Sequence, residues 1–134
     1  MDKEERANPM RLLITEKDPM VRQWLGYRAE ELGIEVTFAA DRGETLDAIN
    51  SRVPDCVVLD AHSSSTEDAP IWDHLHQDPA TNQIPVLLYS SSERWQRVAE
   101  LAGQQVDGFI PRPFTTDSLI HAAERVARPR RVLA

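Results

Sequence analysis

The segment Asp55-Cys56-Val57-Val58-Leu59-Asp60 sets four apolar residues in a row between two acids, with no polar residue at alternate positions. A strand with one wet face alternates, so a short run without alternation is buried on both sides and predicts a central strand of a parallel sheet covered by helices. The neighbouring segments agree. Arg11-Leu12-Leu13-Ile14-Thr15 stops at a charged cluster, Glu35-Val36-Thr37-Phe38-Ala39 is strand-like, and Ile84 to Tyr89 and Val106 to Pro111 supply a fourth and a shorter fifth strand.

Helical stripes separate the strands. Asp18-Pro19 reads as an N-cap followed by proline at the first helical position, and Val21, Trp24, Leu25, Arg28 and Leu32 continue at helical spacing to Gly33. Asp41 with Glu44 has the form of a capping box ahead of Leu46 and Ile49. A loop over 61–68 leads to a short helix around Ile71, Trp72 and Leu75; Trp95, Val98, Ala99 and Ala102 form the next stripe. Thr115 is placed to cap a last amphipathic helix through Leu119, Ala122, Ala123 and Val126, ending near Ala127. The three tryptophans, Trp24, Trp72 and Trp95, read as packing residues on these helices. Strands alternating with helices and joined by right-handed crossovers predict a doubly wound α/β domain.

Composition narrows the function. The 134 residues suit one domain, here 10–128, with a lead over 1–9 and a short basic tail over 129–134. A net charge of −7 argues against direct nucleic-acid binding, and the longest apolar runs fall far short of a membrane span. The single cysteine, Cys56, and a charged amino terminus without a signal peptide's apolar core fit a cytoplasmic protein. His74 and His76 lie two apart on a helix, on different faces, and do not make a metal pair.

Doubly wound sheets bind ligands beyond the carboxyl ends of their strands, which here carry Glu16, Lys17, Asp18, Asp60, Ser90 and Arg112. In that order these residues resemble the receiver domain of bacterial two-component response regulators. Leu12 to Pro19 resembles the first strand and acidic pair, and Pro54 to Asp60 the strand ending in the phosphoacceptor. Pro85 to Ser90 resembles the strand closed by a hydroxyl residue, and Gly108 to Thr115 the aromatic, Lys-Pro-Phe and cap segment. The resemblance covers roughly residues 11–127. It implies a five-stranded flavodoxin-like sheet of order 2-1-3-4-5, and phosphoryl transfer from a kinase histidine to Asp60 with Mg²⁺ neutralising charge. Glu16 and the backbone carbonyl of His62 would hold the metal, with Asp18 as an alternative carboxylate; Ser90 and Arg112 would bind the phosphoryl group. Phe109 would be the switch aromatic and Pro113 a cis-proline. Enzymatic activity would be limited to slow self-catalysed transfer to and hydrolysis from Asp60.

The chain departs from that family pattern at Lys17, where the second acid belongs, and at Arg112, where relatives carry lysine. Ser64 and Asp68 replace the proline and glycine of the following loop. Glu16, Lys17, Asp60 and Arg112 sum to zero charge, against −2 for the usual set, which weakens Mg²⁺ binding. Lys17 is expected beside Asp60 as a tethered cation in the metal's place. Two mechanisms follow: phosphorylation of Asp60 with an unusual metal site, or a phosphorylation-independent interaction module. The implied partners are a histidine kinase or phosphotransfer protein and a downstream protein target. A homodimer through the fourth helix, fifth strand and last helix is a further expectation, and no output domain fits within the 134 residues. A small-molecule or cofactor-binding flavodoxin-like domain, or an enzyme on that fold, is the alternative, since fold does not fix function. No glycine-rich phosphate loop supports it.

Overall fold

The computed structural model describes residues 9–60, 71–89, 106–110 and 114–133. Its elements run β1 (Arg11–Thr15), α1 (Pro19–Glu31), β2 (Glu35–Ala39), α2 (Arg42–Ser51), β3 (Cys56–Asp60), α3 (Ile71–Gln77), β4 (Val86–Tyr89), β5 (Gly108–Ile110) and α4 (Thr116–Leu133). The strands form one sheet of order β2-β1-β3-β4-β5, parallel at every pairing. The stripe expected over Trp95 to Ala102 lies outside the described residues.

Strand pleating divides the core into two layers. Leu12, Ile14, Val58, Leu87 and Ile110 face Leu25 and Ala29 of α1 and Ile120 and Ala123 of α4. Leu13, Val57, Leu59 and Leu88 face Ile49 of α2 and Ile71, Trp72 and Leu75 of α3. Cys56 through Leu59 are wholly buried, as the absence of alternation requires, whereas edge strand β2 alternates between exposed and covered positions. Each such aliphatic side chain stabilises the fold by about 1.5–3 kcal/mol.

Local signals start three of the helices, and stop α1, where the sequence says they should. Asp18 Oδ1 accepts from Met20 N–H at 2.9 Å, and Asp41 Oδ1 from Glu44 N–H at 2.9 Å. Thr115 and Ser118 cap each other reciprocally, each side-chain oxygen accepting the other's backbone N–H at 3.0 and 2.8 Å. Gly33, at φ 73°, turns the chain out of α1 in the left-handed region that favours glycine.

Three expectations are corrected. Trp24 is 59% exposed and takes no part in the core, because Leu25 and Ala29 already fill the inward face of α1. Strand β5 starts at Gly108, since Val106 and Asp107 form a bend in which Asp107 Oδ2 holds Val86 N–H at 2.7 Å. Helix α4 continues to Leu133 through Pro129, which removes one backbone donor without forbidding the turns on either side.

Candidate functional site

Strands β1, β3 and β4 end side by side, so parallel register alone brings Thr15, Glu16, Asp60 and Tyr89 to one edge of the sheet. Asp60 is the register partner of Tyr89. It is half-buried, and its backbone N–H donates to Thr15 Oγ1 at 2.8 Å, tying the end of β3 to the end of β1.

Tyr89 is the centre of this edge. Its ring is 6% exposed and meets Phe114 edge-on, with centroids 5.5 Å apart at 75°. The hydroxyl lies 2.7 Å from the Thr15 carbonyl oxygen and 3.0 Å from Glu16 Oε2, so its single proton serves two acceptors in turn. Burial above all, then the negative charges of Glu16 and Asp60, pushes the Tyr89 phenol far above its ordinary range. Glu16 is held at every polar atom. Oε1 accepts from Asp18 N–H at 3.2 Å, its own N–H donates to Ala39 C=O at 2.9 Å, and its carbonyl accepts from Arg22 Nε, whose guanidinium stacks on Phe38 at 5.6 Å.

Lys17 does not form the expected ion pair with Asp60. It is exposed, and among the described residues it joins no ion pair; its place one residue beyond the buried end of β1 puts a long charged side chain into water, where its hydration is kept. Asp18 serves as the cap of α1. Phe109 is half-buried against the α3-side core. His62, Ser90, Arg112 and Pro113 lie outside the described residues. Sequence reasoning passed over Tyr89, Thr15 and Arg22. A tyrosine at the end of an otherwise aliphatic buried strand was the available signal, since a buried phenol needs a hydrogen-bond partner.

The response regulator receiver domain family matches this chain over residues 12–124, and the chain belongs to it. It is 32% identical over 114 residues to response regulator MprA of Mycolicibacterium vanbaalenii, covering 84% of this chain and 48% of that protein. The chain thus spans about half the length of the curated relatives it matches. Among solved structures, a response regulator from Desulfuromonas acetoxidans superposes with a TM-score of 0.76 at 17% identity, covering 89% of this chain and 97% of the other. The receiver domain of a sensor histidine kinase from Pseudomonas aeruginosa, which carries a magnesium ion in its active site cleft, gives 0.72 at 16% identity, covering 89% and 98%. Both share the fold. The chain is therefore a receiver domain of two-component signalling, a class generally without enzymatic turnover of its own.

Magnesium prefers hard oxygen ligands in near-octahedral array, with one or two carboxylates available to it. Here both oxygens of Glu16 accept from protein donors, the following position is a cation, and among the described residues no three His, Cys, Asp or Glu side chains gather. Among the described residues, no helix is long and apolar enough to cross a membrane.

Proposed function

We propose that this receiver works as a phosphorylation-independent interaction module, in which Asp60 occupies the phosphoacceptor position of a pocket that has lost its metal carboxylates. The observation that carries this reading is the engagement of Glu16. Its carboxylate accepts from the Tyr89 hydroxyl and the Asp18 amide, one donor on each oxygen, so a cation would share those oxygens with protein donors that compete for the same charge. Lys17 adds a positive charge at the position where relatives supply a second ligand, and two like charges near one ligand repel. Without a cation to offset the incoming phosphoryl charge, transfer to Asp60 loses its main electrostatic support. The signal would then pass through protein contacts, with a kinase, phosphotransfer protein or downstream target as the partner class.

Incubation with acetyl phosphate and Mg²⁺, followed by intact-mass measurement, tests the reading, with Asp60→Asn as control. No phosphoryl adduct is expected on either protein. An adduct on the wild type that disappears in the control rejects the proposal and makes Asp60 a working phosphoacceptor.

A further inference from the structure

At the end of the sheet opposite Asp60, the amino ends of β1 and β2 and the carboxyl end of α2 enclose a cavity of about 220 Å³. Leu13, Ala48 and Pro54 supply its apolar wall, and Arg11, Glu35 and Arg52 its charged groups. Leu13 and Pro54 are buried, whereas the side chains of Arg52 and Glu35 are 64% and 44% exposed, so the apolar surface lies deep and these charges stand at the mouth. The volume equals that of about seven water molecules, which is room for a molecule the size of an aliphatic amino acid.

The charges select the class of ligand. Arg52 Nη1 donates to Glu35 Oε1 at 3.0 Å, joining the end of α2 to the start of β2. Arg11 donates from its guanidinium to the Val53 carbonyl, and its backbone N–H donates to Asp55 Oδ2 at 2.8 Å. A guanidinium has five N–H donors, and among the described residues these contacts use one on each arginine. With Asp55 counted beside the three charges that line the cavity, the described residues bring two cations and two anions to this end of the sheet. An anion entering alone would draw Arg52 from Glu35 and leave that carboxylate unpaired; a cation entering alone would strand Arg52. A ligand that carries both signs meets each member of the pair with its opposite. The pair is exposed and contributes little to the fold, so exchanging it for ligand contacts costs little.

We propose that this cavity binds a small aliphatic amino acid, its carboxylate on the remaining donors of Arg11 and Arg52, its ammonium on Glu35 and its side chain against Leu13, Ala48 and Pro54. The inference does not rest on the chemistry at Asp60, which lies at the other end of the strands. A carboxylate between two guanidiniums takes charge-assisted hydrogen bonds, the stronger kind, and the buried wall favours an apolar side chain over a polar one. Because the charged groups are partly in water, a dissociation constant on the order of 0.1–1 mM is expected.

Amide NMR titration of the isotope-labelled full chain with leucine, up to about 10 mM, tests it beside three probes that each lack one part. Isocaproate has no ammonium, isoamylamine no carboxylate, and glycine no side chain. Leucine should shift the amides of residues 11–13, 35–37 and 48–53, which border the cavity, and should bind about tenfold tighter than each of the three. Arg52→Gln, at an exposed position, should weaken leucine binding by about tenfold. Ala48→Leu, which fills the cavity without changing its charge, should abolish it, and the same spectra show that each variant is folded. Absence of shifts at those amides, a site that takes isocaproate as tightly as leucine, or leucine binding that survives either substitution would overturn the proposal. The second of these outcomes would make the cavity an anion site built on the two arginines.

Discussion

Trp72 and Trp24 occupy helices of similar apolar pattern and have opposite fates. Trp72 sits on α3 between Ile71 and Leu75, is 3% exposed, and is part of the layer formed with Leu59 and Leu88. Trp24 neighbours Leu25 on α1 and is 59% exposed. The difference lies in how much apolar surface each helix carries. On α3, Ile71, Trp72 and Leu75 are all needed to cover the sheet, whereas α1 carries Met20, Val21, Trp24, Leu25, Tyr27 and Ala29 distributed over more of its circumference than one sheet face can bury. Surplus apolar side chains on a helix mark a surface available to another molecule; a sufficient set marks only a core.

Three measurements break or sharpen this contrast. The largest effect is expected from Trp72→Ala, which leaves a cavity between α3 and the sheet and should lower unfolding free energy by about 3–5 kcal/mol in urea denaturation. A loss under about 1 kcal/mol would mean that α3 packs far more loosely than its burial indicates.

Tyr89→Phe comes next. It keeps the ring against Phe114 but leaves the Thr15 carbonyl and the Glu16 carboxylate without their shared donor, at a cost of about 1–2 kcal/mol near neutral pH. Its pH dependence is distinctive. The folded state holds the phenol protonated well above its ordinary value near 10, so this contribution is complete below about pH 10 and declines as the unfolded chain's tyrosine ionises above it. The wild type should therefore lose more stability than Tyr89→Phe between pH 8 and 10.5. Equal losses would show that Tyr89 ionises as readily folded as unfolded.

The smallest effect belongs to Trp24→Ala. Its unfolding free energy should stay within about 0.5 kcal/mol of wild type. A larger drop would place Trp24 in the fold's own packing and remove the contrast with Trp72.

Much of the fold was legible in the residues. Val57, Val58 and Leu59 without alternation required a covered central strand, Asp18, Asp41 and Thr115 announced three helix starts, and Gly33 a stop. These signals are local: each acts within a few residues of its own position. The site was legible only in outline. Positions at strand ends located Glu16 and Asp60, but whether a side chain at such an end turns into the edge or into water depends on what the adjacent strand presents. Tyr89 reaches Glu16 across β3 from β4, a contact between residues 73 apart in sequence that no local pattern announces.

By itself, then, the order of apolar runs, caps and breakers determined a doubly wound parallel sheet, because backbone hydrogen bonding and burial act on patterns that a linear chain already displays; the family was legible only through the resemblance carried by the residues at the strand ends. Tertiary structure alone decided that the Tyr89 hydroxyl reaches Thr15 and Glu16, that Lys17 stays in water, and that α1 buries one apolar face and leaves another uncovered. Those outcomes depend on distances between segments far apart in the chain, and competition for the same space and the same hydrogen-bond donors is settled only when the segments meet.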